Sequence, residues 1–166
     1  MQPDFLNKIP DKAILLLGFL GAFRRSELSG LNFEDITRYP QGIIVTLKHS
    51  KTDQEQVGQQ VGIPYLKNPD MCAIVALNKW IQEAQITSGP LFRRILKNGR
   101  LSSHRLSDKS INLLVKKYIE LIGLPVELYG AHSLRHGFAT YAALHGGEGR
   151  LIIKQTRHRS VATVRH

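Results

Sequence analysis

Three short clusters, far apart in the sequence, hold the side-chain types needed for chemistry on a phosphate ester. They are Arg24-Arg25-Ser26-Glu27-Leu28, His132-Ser133-Leu134-Arg135-His136 and Arg157-His158-Arg159-Ser160. A guanidinium offers a planar fork of N–H donors that matches two oxygens of one phosphate, and an imidazole changes protonation near neutral pH. Each cluster alone has an ordinary alternative. Two arginines at a helix end are usually solvated, and a histidine pair spaced i, i+4 is more often structural than metal-binding. No Glu or Cys stands beside His132 and His136 in the pattern of a zinc protease. The single cysteine, Cys72, excludes a disulfide framework and a Cys-based zinc site. Neither metal nor cofactor is expected.

The composition favours a polyanionic partner. The 166 residues are 42% hydrophobic and 22% charged, enough for one globular domain with a real core, and the net charge is +10 with a pI near 10.0. Residues 1–92 hold 9 basic and 9 acidic side chains, so the whole excess lies in residues 93–166, with the other 14 basic residues against 4 acidic ones. A solubilising surface would spread its charge; a face that binds a polyanion concentrates it. The eleven residues Ala13–Phe23 have no polar side chain, but a bilayer span needs about 20. Arg24 and Arg25 follow where a cleavage site would need small residues. The stretch therefore reads as a buried helix, with no membrane association, and the protein is expected in the cytoplasm.

The elements that must position the clusters are mostly helical. Asp11 is expected to cap a helix reaching about Phe23, with a short second helix near Ser26–Leu31. Ile43-Ile44-Val45-Thr46-Leu47 reads as a strand after the turn Tyr39-Pro40-Gln41-Gly42, and Val61-Gly62-Ile63-Pro64 as its partner, giving two or three antiparallel strands around a polar turn. A third helix is expected over about Asp70–Gln85, and residues 91–106 read as basic and irregular. Ile111, Leu114, Val115, Tyr118, Ile119 and Ile122 recur at helical spacing, and Gly123 and Pro125 end that helix. Further helices are expected at Ser133–Leu144, Arg150–Thr156 and from Ser160 onward. The fold class is mainly α with a small antiparallel β-sheet (α+β), one domain over residues 1–166.

Together the clusters resemble the catalytic domain of the tyrosine recombinases, the phage-integrase family. Arg24-Arg25-Ser26-Glu27-Leu28 is similar to that family's first-arginine motif, His132-Ser133-Leu134-Arg135-His136 to its His-x-x-Arg motif, and His158-Arg159-Ser160 to its third motif. Ser50-Lys51-Thr52-Asp53 falls in the β-turn where the family keeps its lysine. The resemblance spans essentially the whole chain in the family's order. It implies cleavage and rejoining of duplex DNA through a 3′-phosphotyrosyl intermediate, without metal or ATP. Arg24 and Arg135 would bind the non-bridging oxygens, Lys51 would protonate the departing 5′-oxygen, His132 would help deprotonate the nucleophile, and His158 would donate to the phosphate. Lys48 is a rival to Lys51, and His136 is expected to brace its helix. Glu27 would orient an arginine or cap the second helix.

The family's tyrosine stands nine residues after the third-motif histidine, which from His158 is the position following His166, the last residue. The expectation is therefore a catalytic domain without its nucleophile, without the family's N-terminal DNA-clamping domain and without its C-terminal tail, and inactive as it stands. Tyr118 and Tyr141 are expected to be packing residues. Arg25, Arg93, Arg94, Lys97, Arg100, Arg105 and Arg159 are candidate DNA contacts, supplying affinity more than sequence choice. Other recombinase protomers are the second implied partner. Three further readings compete: a type IB topoisomerase-like enzyme, a non-catalytic DNA-binding module, and a metal-dependent nuclease, the last disfavoured by the lack of a ligand cluster.

Overall fold

The apolar stretch before Arg24 becomes the helix on which the others pack. In the computed structural model, which describes residues 3–48 and 58–157, α1 runs Pro3–Leu20 with Ala13, Ile14 and Leu17 fully buried. It packs chiefly on α3 (Ala73–Glu83) and also on α5 (His132–Leu144). Burying a Leu or Ile side chain stabilises by roughly 1.5–3 kcal/mol each, so a run without polar atoms settles between helices. Trp80 on α3 fills the same core and donates its indole N–H to the Leu91 carbonyl at 2.8 Å.

Asp11 is not a cap. It lies in the middle of α1, almost buried, and accepts the Tyr118 hydroxyl at 2.7 Å, with Lys117 Nζ at 3.6 Å. A carboxylate able to cap a helix locally is instead engaged by α4 (Asp108–Leu121).

The expected sheet is present. β1 (Ile36–Tyr39), β2 (Gly42–Leu47) and β3 (Gln59–Pro64) pair antiparallel in that order. Ile43, Val45, Leu47, Val61 and Ile63 turn inward, the period-2 alternation of a half-buried sheet. A second sheet was not expected: β4 (Arg93–Ile95) and β5 (Leu101–Arg105) form a hairpin within the stretch read as irregular. Its turn is closed by Leu96 N–H to the Arg100 carbonyl at 2.8 Å, with Gly99 at φ 79°. Asn98-Gly99 is a strong hairpin signal, obscured here by flanking basic residues of weak strand propensity.

α2 covers Arg25–Gly30 and packs on α4. α3 is shorter than expected because Pro69–Met71 forms a separate 3₁₀ turn. Ser107 caps α4 by accepting Ser110 N–H at 3.1 Å, and Gly123 at φ 77° ends it. α6 covers Gly149–Thr156 and packs on α5. The helix expected from Ser160 onward lies outside the described residues. Among the described residues no helix is long and apolar enough to cross a membrane.

Candidate active site

α1 gives way to a tight turn that carries the first arginine cluster. Ala22 adopts left-handed backbone at φ 48°, and a Cβ on Gly21 would lie 2.2 Å from the Phe23 ring. A left-handed alanine costs about 1–2 kcal/mol. That cost is offset by burial of Ala22 and Phe23 and by two guanidiniums that donate to the Ala22 carbonyl, Arg157 Nη2 at 2.8 Å and Arg135 Nη1 at 3.4 Å. Two of the three clusters thus meet the first at one backbone oxygen.

Arg24 stands at the N-cap position of α2. Glu27, three residues on, returns its carboxylate to the Arg24 backbone N–H at 2.7 Å and to the Arg24 guanidinium at 2.9 Å. This is half of a capping box, and the same carboxylate aims the arginine. Both roles expected for Glu27 are therefore filled. It also accepts Arg157 Nη2 at 2.7 Å, and the Arg157 side chain, only 5% exposed, lies over the Phe23 ring at 5.3 Å.

Arg135, in the first turn of α5, is 2% exposed. Burial, then repulsion from Arg24 and Arg157, lowers its guanidinium to about 10 in spite of Glu27. Glu27 is bonded to Arg24 and Arg157 and only feels the charge of Arg135, so one carboxylate faces three nearby guanidiniums, an imbalance that a bound anion would relieve. The His132 imidazole is held below its ordinary value by burial first, and then by the positive charges of His136, Arg135, Arg24 and Arg25. It is therefore neutral near pH 7 and able to accept a proton. His136 lies edge-on to it at 4.7 Å between ring centroids.

Arg24, Arg25, Ser26, Asn112 and His132 line an open cleft of about 320 Å³, ample for a phosphodiester. Of the five expected catalytic residues, Arg24 and His132 line this cleft and Arg135 meets the turn that carries Arg24. Lys51 and His158, with Arg159, lie outside the described residues. Among the described residues no group of His, Cys, Asp and Glu side chains could hold a metal ion.

The candidate DNA contacts divide. Arg25 lines the cleft with its Nε 3.4 Å from Asp108, and Arg94, Lys97 and Arg100 are exposed on the β4–β5 hairpin. Arg93 and Arg105 are engaged within the fold instead. Arg93 donates to the Pro90 and Ser88 carbonyls. Arg105 donates to the Ser29 and Leu31 carbonyls, each at 2.9 Å, and to Asn32 Oδ1 at 2.6 Å. Half-buried, Arg105 spends its guanidinium on the end of α2 and the residues just after it, where the Leu31 carbonyl also accepts the Leu91 N–H at 2.9 Å. Lys48, the rival to Lys51, lies just past β2, 3.8 Å from Asp35. Tyr118 is a hydrogen-bond donor as well as a packing residue, and Tyr141 is 55% exposed, stacked on His145 at 4.0 Å.

Two residues were not singled out from sequence. Asn112 stands beside the apolar stripe of α4, where a polar side chain normally faces solvent. Arg157 belonged to a cluster read for His158, yet it is the residue that grips the first motif.

Residues 3–166 match the family model described as "Phage integrase family". The chain belongs to the phage integrase family. An integrase/recombinase xerD homolog of Selenomonas ruminantium is 50% identical over 155 residues, covering 93% of this chain and 46% of that protein. A tyrosine recombinase XerC of Thermodesulfovibrio yellowstonii is 34% identical over 153 residues, 92% of this chain and 48% of that protein. The chain spans about half the length of the curated relatives it matches. Among solved structures of similar fold, XerH site-specific recombinase bound to difH substrate, a pre-cleavage complex, superposes with TM-score 0.70 at 19% identity, covering 98% of this chain and 46% of that one. XerA recombinase gives 0.68 at 22% identity, with 98% and 57% covered. This mixed fold of helices and small antiparallel sheets is thus the family's.

Proposed function

We propose that the chain is the catalytic domain of a site-specific DNA recombinase or integrase, acting on duplex DNA in the cytoplasm together with further protomers. The observation that carries this reading is the cluster at the turn before α2: Arg24 and Arg157 share the Glu27 carboxylate and Arg135 reaches the Ala22 carbonyl, beside a cleft lined by Arg24 and His132. Arg24 and Arg135 would bind the non-bridging phosphate oxygens and stabilise the charge that grows on them as the phosphorus becomes pentacoordinate. His132 would accept the nucleophile's proton. Lys51 would protonate the departing 5′-oxygen, and His158 would donate a hydrogen bond to the phosphate. The nucleophile would be a tyrosine at the ninth position after His158, and the product a 3′-phosphotyrosyl link that keeps the energy of the original ester. Arg25, Arg94, Lys97, Arg100 and Arg159 would hold the DNA backbone.

The test is a nicked suicide substrate offered to the chain extended by that tyrosine and joined to the N-terminal half of a relative. A covalent adduct insensitive to chelator is expected, lost on Tyr→Phe and reduced at least about 100-fold by Arg24→Ala or Arg135→Ala. DNA binding without any adduct, or an adduct mapped to Tyr118, Tyr129 or Tyr141, would defeat the proposal.

A further inference from the structure

Helix α5 begins without a cap of its own. The residue before it, Ala131, is already in helical conformation (φ −56°, ψ −29°) and offers no side-chain acceptor. The N–H groups at a helix start still need partners, and α4 supplies one. Asn112 Oδ1 accepts the Ala131 N–H at 2.9 Å. One turn further along α4, Lys116 Nζ donates to the carbonyls of Val126 at 2.6 Å and Tyr129 at 2.8 Å. Residues four apart share a helix face, so two side chains hold the loop before α5 at three backbone atoms. The fit leaves no slack: a Cβ on Gly130 would lie 2.5 Å from Asn112 Oδ1. α5 packs mainly on α1 and α6, so these bonds fix its first turn relative to α4. Asn112 lines the cleft beside His132, and among the described residues nothing accepts from its amide nitrogen.

We propose that Asn112 is the positioning residue for His132, holding the first turn of α5 at the cleft through the Ala131 N–H while Lys116 secures the loop behind it. This rests on reading His132 as the proton acceptor, but its test needs no cleavage. Burial first, and then the charges of His136 and Arg135 on α5 and of Arg24 and Arg25 at the start of α2, set the His132 titration.

Amide exchange at Ala131 and the His132 titration are followed by NMR in the full chain, unmodified and as Asn112→Ala, Gly130→Ala and Lys116→Met. In the unmodified chain the Ala131 amide should exchange more slowly than exposed loop amides. Asn112→Ala should speed that exchange about tenfold, the loss of one hydrogen bond. It should also move the His132 midpoint up towards the ordinary imidazole value as the ring loses burial and draws away from Arg24 and Arg25. Gly130→Ala, which pushes Asn112 off Ala131 while keeping it in the chain, should do the same, and Lys116→Met should shift both in the same direction by less. An unmoved His132 midpoint in whichever of the Asn112 and Gly130 variants folds overturns the proposal. So does loop-like exchange of Ala131 in the unmodified chain, a measurement that depends on no variant. If instead His132→Gln leaves adduct formation intact, the reading of the site fails while the hold of Asn112 on Ala131 still stands.

Discussion

Glu27 decides where two arginines point. It is bonded to Arg24 on one side and to the nearly buried Arg157 on the other. Removing one member of a buried ion pair leaves the other charge uncompensated, at a typical cost of about 3 kcal/mol. Glu27→Gln should therefore lower stability by about that amount in equilibrium urea unfolding, and millimolar phosphate should restore part of it by neutralising the arginines. Loss without any phosphate rescue would mean the cluster is not an anion site. The His132 ring gives a second prediction. Its folded midpoint lies below its unfolded one, so the unfolded chain binds the proton more readily. Its contribution is complete above the ordinary midpoint of about 6.5 and is lost as pH falls through it towards the lower folded value. Melting temperatures taken from pH 7.5 down to 5 should decline, and less steeply in His132→Asn; parallel declines would show that His132 carries none of this dependence.

Between elements, the join of α1 to α4 is a hydrogen bond rather than packing alone. Tyr118 donates to Asp11, and burial first, then the bond to Asp11 and its charge, push the phenol up to about 12. Tyr118→Phe leaves Asp11 with Lys117 alone, so a loss of about 1–3 kcal/mol is expected in urea unfolding. A phenol raised in the fold stabilises fully below its unfolded value of about 10 and stops doing so as pH rises towards 12. The unmodified protein should therefore weaken over that alkaline window, and Tyr118→Phe should lose this limb of the profile. The stripe Ile111, Leu114, Val115 was enough to place α4, yet it filed Tyr118 as packing, because the partner that makes it polar lies 107 positions away.

For the whole molecule, the uneven charge becomes a salt dependence. The net +10 resides entirely in residues 93–166, and each phosphate neutralised by Lys or Arg releases counterions. If six or more phosphates are contacted, affinity for random duplex DNA should fall by about 10³ or more between 50 and 200 mM salt. Arg94→Ala and Lys97→Ala should each lower the slope of log Kd against log salt by about one. Arg93→Ala and Arg105→Ala should leave that slope unchanged and cost stability instead, because their donors are used inside the fold. Measured slopes that do not separate the two pairs would reverse this assignment.

Local order was legible from the residues alone: the apolar run of α1, the period-2 strands β2 and β3, the helical stripe of α4, and motifs whose order pointed to the family. These depend on neighbours a few positions apart, and periodicity records them. The sequence also placed Arg24, His132 and Arg135 among the candidates, since few other residue types bind phosphate and move protons. Only the tertiary structure decided which groups share a partner. Asp11 caps nothing and instead receives Tyr118; Arg105 faces the loop after α2; Arg157, read as a flank of His158, grips Glu27 and Ala22; Asn112 fastens the start of α5. A side chain's local pattern states what it can bond. Which of those bonds forms depends on the surface that packing brings against it, and that surface comes from residues as much as 136 positions away.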